Sequence, residues 1–128
     1  MESSSFQSDH VFQPCPESPN CVSSLADDRD EAHYIDPLTA DQAAWAALPS
    51  VLVSLPNLRV VKADGNYLRA EATTRFLRFV DDLEFQFVPE TRIIHVRSAS
   101  RVGYSDFGVN RERLEQIRDD LKRAVQSP

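Results

Sequence analysis

The sequence contains no long apolar run and very little glycine. No stretch approaches the roughly 18 consecutive apolar residues that a membrane helix needs, so we predict no membrane span. The first ten residues lack the basic start and apolar stretch of a secretory signal, which favours a cytoplasmic location, although an exported mature form would look the same. Only 3 glycines stand against 8 prolines, so few positions are expected in left-handed backbone conformations.

Basic residues are too few for a typical nucleic-acid-binding domain. The chain has 14 basic and 20 acidic residues and a formal net charge of -6. Proteins that bind nucleic acids need a basic surface, so we predict no nucleic-acid partner. The glycine and lysine pattern of a phosphate-binding loop is also missing, and strands do not alternate with helices as in nucleotide-binding folds. We therefore predict no cofactor.

The two cysteines, Cys15 and Cys21, are six positions apart with two prolines between them. Three interpretations stay open at this stage. The first is two free thiols in a reducing cytosol, and the second is a local disulfide, which export of the protein would favour further. A zinc site is the least favoured, because tetrahedral zinc needs four ligands and none of the 3 histidines has a standard spacing from the cysteines. No metal site is predicted.

Length and composition indicate one domain preceded by an arm. The chain has 128 residues, of which 41% are hydrophobic, and both values fit one ordinary globular domain. We predict a disordered tail over residues 1–13 and a single α+β domain over residues 14–128. The domain begins with an extended arm over residues 14–36, because each proline moves the residue before it out of the helical conformation.

Two helices are predicted, one on each side of a run of strands. Thr39 is expected to cap the first helix, over residues 39–48, and Pro49 to kink it or to start a second short helix. The last helix is predicted after Asn110, which is a good capping residue. Its apolar residues recur at helical spacing: Leu114, Ile117, Leu121 and Ala124 or Val125.

Strands are predicted at residues 58–63, 67–74, 83–87 and 92–100, with Asp64-Gly65-Asn66 as a hairpin turn. Short links between consecutive strands favour antiparallel pairing. The fold class is therefore α+β: an antiparallel sheet of about four strands, an N-terminal and a C-terminal helix packed on one face, and an extended N-terminal arm. Four phenylalanines are expected mostly in the core: Phe76, Phe79, Phe85 and Phe87.

The densest polar run, residues 97–111, joins the last strand to the last helix. It offers guanidinium groups, hydroxyls and a carboxylate, and it is followed by the unpaired backbone N–H groups of a helix start. Such groups suit phosphate, sulfate or carboxylate. The candidate ligand-binding residues are Arg97, Ser98, Ser100, Arg101, Asp106, Asn110 and Arg111.

Three functions are compatible with this run. The leading hypothesis is a non-enzymatic binding or accessory domain whose loop engages an anionic small ligand or a protein partner. The second is a small hydrolase-like enzyme that acts on an anionic substrate with Asp106 or His95 as base. The third is purely structural: the loop staples the arm to the sheet, and its arginines pair with carboxylates of a neighbouring strand. Those carboxylates are Asp81, Asp82 and Glu84, and Asp82 also shares a strand face with Glu84 and Gln86.

Four segments in order resemble domain of unknown function family 1499. They are Cys15-Pro-Glu-Ser-Pro-Asn-Cys21-Val-Ser-Ser24, Tyr67-Leu-Arg-Ala-Glu71, Phe79-Val-Asp-Asp82-Leu-Glu-Phe85 and the whole run from Arg97 to Arg111. The resemblance covers roughly Pro14 to Ala124. It implies a compact domain of bacteria and plastids with no assigned activity and no catalytic residues to carry over. Many members carry a membrane segment, a lipoprotein signal or a plastid-targeting sequence, whereas this chain begins with a polar arm. Because the cysteine-bearing arm and the arginine-serine loop belong to one pattern, we expect them to meet in space.

Overall fold

The computed structural model describes residues 12–74 and 78–126. Its elements, in chain order, are β1 (Cys21–Ser23), β2 (Leu38–Thr39), α1 (Gln42–Val53), β3 (Leu58–Asp64), β4 (Tyr67–Thr73), β5 (Val80–Val88), β6 (Ile93–Ser100) and α2 (Val109–Gln126). The fold is α+β, as predicted. The first eleven residues of the predicted tail, and Phe76, lie outside the described residues.

The sheet has six strands, so the prediction of about four is too low. Strands β3 to β6 form the expected antiparallel meander, and the full order is β1-β6-β5-β4-β3 with β2 also paired to β6. The two additional strands have three and two residues, too few to show an alternating pattern. β1 comes from the arm, with Cys21 opposite Ala99, and β2 follows directly after the arm, with Leu38 opposite Ile94. The arm therefore covers an edge of β6 that would otherwise expose unpaired backbone groups.

The sheet has one face under the helices, here called the core face, and an opposite outer face. Along β5, Leu83, Phe85 and Phe87 are buried on the core face, and the residues between them point outward. Both helices contribute to the same hydrophobic core, which confirms that they pack on one face. Trp45 of α1 stacks on Phe87 with ring centroids 5.5 Å apart. Phe79 is 44% exposed, so its assignment to the core is wrong.

The first helix starts and ends differently from the prediction. Asp41 is its N-cap and accepts a hydrogen bond of 2.9 Å from the backbone N–H of Ala44. Thr39 is instead the last residue of β2, so the predicted cap is wrong. Pro49 lies inside the helix, which continues to Val53 without a second helix. Burial of the final turn, including Leu52 at 0% exposure, offsets the backbone hydrogen bond that proline removes.

The last helix begins at Val109, so Asn110 lies within its first turn and is not its cap. Leu114, Ile117 and Leu121 are buried as predicted, whereas Val125 is 45% exposed. The last turn therefore projects beyond the core. None of the helices in the described part of the chain is both long and apolar enough to cross a membrane.

The arm is closed on itself by a disulfide between Cys15 and Cys21, with Cα atoms 5.6 Å apart. This pairing selects one of the three interpretations left open by the sequence. Of the tail predicted over residues 1–13, only Phe12 and Gln13 are described, and Phe12 is 5% exposed. Phe12 lines a cavity of about 470 Å³ together with Cys15 and His33. The ordered arm therefore includes Phe12.

Candidate functional site

The seven candidate residues do not form one cluster, because strand alternation sends neighbours to opposite faces of the sheet. Arg97 and Arg101 lie on the outer face, where they meet carboxylates. Ser98 and Ser100 point to the core face and contact Asn110. The remaining two lie at the start of α2: Asp106 bonds the helix start and Arg111 reaches the arm.

Arg101 is paired with two carboxylates of its own sheet. Its Nε and Nη2 each donate 2.8 Å hydrogen bonds to Asp82, and Nη2 donates a third, of 2.7 Å, to Glu71. The bond from Arg101 holds the pKa of the Asp82 carboxyl below its usual value despite partial burial. This fork-like pairing places two negative charges beside the guanidinium, which opposes the binding of a free anion there.

Arg97 is also held by its own chain. Its side chain is 12% exposed, with Nη1 3.9 Å from Glu84 and Nη2 donating to the carbonyl of Pro14 at 3.4 Å. The pairing of both arginines with strand carboxylates is the arrangement that the structural interpretation predicts. Asp81, however, lies on the core face and pairs with Arg113 at 2.9 Å. In the described part of the chain, Arg97 Nε and Gln86 Oε1 are buried without a hydrogen-bond partner.

A buried polar network centres on Asn110, which is 0% exposed. Its side-chain oxygen accepts hydrogen bonds from the Ser98 hydroxyl and from Arg113. Its side-chain nitrogen donates to the Ser100 hydroxyl at 3.0 Å and to Asp106 at 2.8 Å. One amide thus connects β6, the loop after it and α2, and its removal would leave buried polar groups unsatisfied.

Asp106 is a structural cap. Its carboxylate accepts hydrogen bonds from the backbone N–H groups of Gly108 at 2.8 Å and Asn110 at 3.1 Å. Burial favours the neutral acid, but these bonds and the one from the Asn110 side chain lower the pKa of Asp106 overall. An anion stabilised in this way is a weak base, which argues against the proton-abstracting role proposed for it in the enzyme hypothesis.

The arm and the loop meet, as the shared pattern led us to expect. The Asn20 carbonyl accepts a 3.0 Å hydrogen bond from the Ser100 backbone N–H. The Asn20 side chain donates to the carbonyl of Gly103 at 2.7 Å. From the other side, Arg111 donates to the carbonyl of Glu31 at 3.1 Å. Asn20 was not predicted as a site residue, and only its place between Pro19 and Cys21 in the shared pattern could have indicated it.

His95 does not belong to a catalytic triad. It lies on the outer face, and its Nδ1 is 2.9 Å from the Ser24 hydroxyl. Burial lowers the pKa of His95, so it is neutral near pH 7. The Ser24 oxygen also accepts a 2.8 Å bond from the Val96 backbone N–H, and no carboxylate among the described residues bonds to His95. The orienting acid of a Ser–His–Asp arrangement is therefore missing there.

The carboxylates of β5 that point to the outer face are held in ion pairs and hydrogen bonds. Asp82 and Glu84 share this face with Gln86, as predicted. Asp82 bonds to Arg69 and Arg101, and Glu84 accepts a 2.6 Å hydrogen bond from the Tyr67 hydroxyl. No group of three or more His, Cys, Asp or Glu residues that could hold a metal ion occurs within residues 12–74 and 78–126.

The loop between β6 and α2, residues 101–108, displays large apolar side chains to solvent. Tyr104 is 73% exposed, Phe107 is 91% exposed and Val102 is 51% exposed. Phe107 also has a φ of 54°, in the left-handed region that bulky residues rarely adopt. Phe79 lies at the same end of the sheet, since the Arg101 backbone N–H donates to the adjacent Val80 carbonyl at 3.1 Å. These aromatic residues were not predicted as site residues, because the sequence pattern was interpreted through its arginines.

The chain belongs to the family described as protein of unknown function (DUF1499), which it matches over residues 11–121. The matched range includes the disulfide arm, the whole sheet and most of α2. No curated protein and no solved structure matches the chain.

Proposed function

We propose that this domain is a non-enzymatic binding module whose loop at residues 101–108 engages a protein partner, with Tyr104 and Phe107 as the main contacts. The observation that carries the proposal is Phe107, a bulky side chain that is 91% exposed on a left-handed backbone. Such a conformation costs about 1–3 kcal/mol and persists only where the surroundings impose it. The hydrogen bonds of Asp106 hold this backbone, but the ring stays uncovered by the described part of the chain, so we infer that a partner covers it.

The loop is held in one shape before any partner arrives. The Asn20 side chain fixes Gly103, and Asp106 fixes Gly108 and the start of α2. Binding therefore costs little additional conformational entropy in the loop, which favours affinity. Tyrosine and phenylalanine are also enriched in protein interfaces, where they bury large rigid surfaces. A fixed loop that ends in two exposed aromatic rings has the properties of an interface hot spot.

A protein fits this surface better than a small anion or an anionic membrane. The arginines that would hold an anion are bonded to the protein's own carboxylates and carbonyls. The net charge of -6 opposes approach to the negative surface of a bilayer. The exposed part of the loop is instead mainly apolar and aromatic.

The proposal is tested by capture experiments with matched surface variants. The test variant combines Tyr104→Ser with Phe107→Asn, because asparagine tolerates the left-handed backbone and removes only the ring. The control combines Leu25→Ser with Val53→Ser, two apolar residues that are 52% and 61% exposed on other surfaces. Each protein is immobilised, bound proteins from its own source cells are quantified, and the dissociation constant of any purified partner is measured.

We expect a defined partner whose affinity falls at least tenfold in the Tyr104/Phe107 variant and stays unchanged in the control. Sedimentation with vesicles of neutral and anionic lipids runs in parallel. Equal capture of the partner by the unmodified protein, the Tyr104/Phe107 variant and the control variant would contradict the proposal. Binding to vesicles that depends on the same two aromatic residues would also overturn it, by identifying a lipid surface in place of a protein.

A further inference from the structure

His33 has hydrogen-bond partners that a neutral imidazole cannot satisfy. Its Nδ1 is 2.8 Å from the Asp30 carboxylate and its Nε2 is 3.0 Å from the Ser18 carbonyl. Both partners only accept hydrogen bonds, whereas a neutral histidine carries only one ring N–H. The histidine is 9% exposed, so water reaches its ring poorly, although the Asp30 side chain is 43% exposed. Two donors are needed, and only the imidazolium has two.

We infer that His33 is held as an imidazolium and acts as a pH-sensitive latch that, within the arm, fastens the disulfide loop at residues 15–21 to the turn at residues 27–34. Loss of the ring proton would leave a nitrogen lone pair facing an oxygen at one of the two positions. The carboxylate of Asp30 keeps the remaining N–H, because a charged acceptor forms the stronger bond. The contact with Ser18 is therefore the one that opens.

The charged groups around His33 support the protonated form. Asp30 lies on the same turn, and Asp27 lines the same cavity but is paired with Arg29 at 3.0 Å. From α2, Arg111 contacts the carbonyls of Glu31 and Ala32, and not the imidazole ring. From the arm, Cys15 is in the disulfide and does not titrate. Asp30 is thus the nearest charge that acts directly on the ring.

The pKa of His33 lies above its ordinary value of 6.5, first because of the hydrogen bond to Ser18 and then because of Asp30. A pKa raised on folding means that the latch contributes its full stability below the unfolded pKa. That contribution is lost as the pH rises through the folded pKa. The latch is therefore closed in mildly acidic solution and opens as the pH rises through the folded pKa, which lies above 6.5.

The latch connects to the loop through a short chain of hydrogen bonds, so this step rests on the proposed function. The Ser18 hydroxyl donates to the side-chain oxygen of Asn20 at 3.0 Å. The Asn20 side-chain nitrogen then donates to the Gly103 carbonyl at 2.7 Å. Release of Ser18 would remove one support of Asn20, and Asn20 orients the loop that carries Tyr104. A pH change would thereby tune how firmly the binding loop is held.

The test uses the full chain and its 3 histidines. A variant with His10→Gln and His95→Gln leaves His33 as the only histidine, and its ring titration is followed by NMR. Amide exchange is measured at pH 6 and pH 9 and corrected for the intrinsic pH dependence. It is followed at Ser23, whose N–H donates to the His33 carbonyl, and at Ser100, whose N–H donates to the Asn20 carbonyl. His33→Gln, which cannot titrate, serves as the matched variant, and its melting curve confirms that it folds.

We expect a ring pKa above 6.5 and roughly tenfold faster corrected exchange of the Ser23 amide at pH 9, with a smaller rise at Ser100. His33→Gln should lose this pH dependence. A ring that titrates below the ordinary histidine value, or exchange that is equal at both pH values, would overturn the latch. Exchange is read without a partner, so this result stands apart from the capture experiments: a working latch with no partner would refute only the binding function.

Discussion

Replacement of Asn110 by alanine should destabilise the protein far more than the loss of a polar side chain from the first turn of a helix usually does. The substitution removes an amide that is 0% exposed and leaves the Ser98 hydroxyl, also 0% exposed, without its acceptor. One buried unsatisfied group costs about 1–3 kcal/mol, and the small cavity left by the amide adds to this. We therefore expect a loss of about 2–4 kcal/mol, a large part of the total stability of about 5–15 kcal/mol of a typical domain.

The assay is urea unfolding followed by the fluorescence of the single tryptophan. Trp45 is 9% exposed and stacked on Phe87, so its emission reports loss of the core. The urea concentration at the midpoint of unfolding should fall. The slope of the unfolding free energy against urea concentration should stay unchanged, because the surface exposed on unfolding is the same. The matched control is Gln116→Ala, an exposed polar residue of the same helix, which should change stability by no more than about 0.5 kcal/mol.

A second substitution at the same position separates the geometry of the network from its volume. Asn110→Asp keeps the size and the acceptor for Ser98 but places a carboxylate beside Asp106, where the amide nitrogen now donates at 2.8 Å. This variant should be at least as unstable as Asn110→Ala near pH 7, and it should recover when the pH falls and one acid takes up a proton. If either variant unfolds like Gln116→Ala, the network does not hold the loop in the way argued above.

Four further outcomes follow from the ion pairs and the disulfide. Arg113→Ala should cost about 3–5 kcal/mol in urea unfolding, because it leaves the buried Asp81 carboxylate unpaired; a loss below 1 kcal/mol would refute a buried pair. Arg101→Ala should lower the urea midpoint much less than Arg113→Ala does, since its side chain is 47% exposed, and an equal loss would show that its network is more shielded than its exposure indicates. Reduction of the Cys15–Cys21 bond, or Cys15→Ser, should lower stability by about 2 kcal/mol through the closed loop, and an unchanged melting temperature under reductant would contradict this. Phosphate, sulfate and phosphorylated metabolites should raise the melting temperature no more than a general salt effect does, and a selective shift lost in Arg101→Ala would reinstate an anion site.

The meander and the helix faces could be predicted because their patterns are local. Alternation along residues 83–87 and the Asp-Gly turn at residues 64–65 are enough to specify paired strands. Leu114, Ile117 and Leu121 likewise mark the buried face of α2. These features depend only on neighbours in sequence, so composition and periodicity capture them.

The arm strands and the buried network could not be predicted because they depend on contacts distant in sequence. β1 pairs with residues that lie 74–78 positions further along the chain, and nothing in three residues specifies that partner. The choice between Asp106 and Asn110 as the helix cap was also open, since both residue types cap helices well. Asn110 is buried because its side chain accepts hydrogen bonds from Ser98 and Arg113. Strand pairing fixes the position of Ser98, and the spacing along α2 fixes that of Arg113.

The exposed aromatic loop was missed for a related reason. Aromatic residues in a sequence normally indicate core, and Phe79 was assigned on that basis. The hydrogen bonds of Asp106 and Asn20 hold the backbone of residues 103–108 away from the core, and only the folded arrangement shows that Phe107 is left 91% exposed. A pattern of side chains cannot reveal this without the positions of the groups that fix the backbone.

Photo-crosslinking in the source cells tests the binding loop most directly. A photoreactive phenylalanine analogue is placed at position 107, and in a separate protein at position 53, which is also exposed. A partner that docks on the loop should give a crosslinked protein of defined mass from position 107, absent from position 53 and lost when Tyr104→Ser is added. Identical products from both positions, or none from position 107 with the protein folded and abundant, would contradict a protein-binding role for this loop.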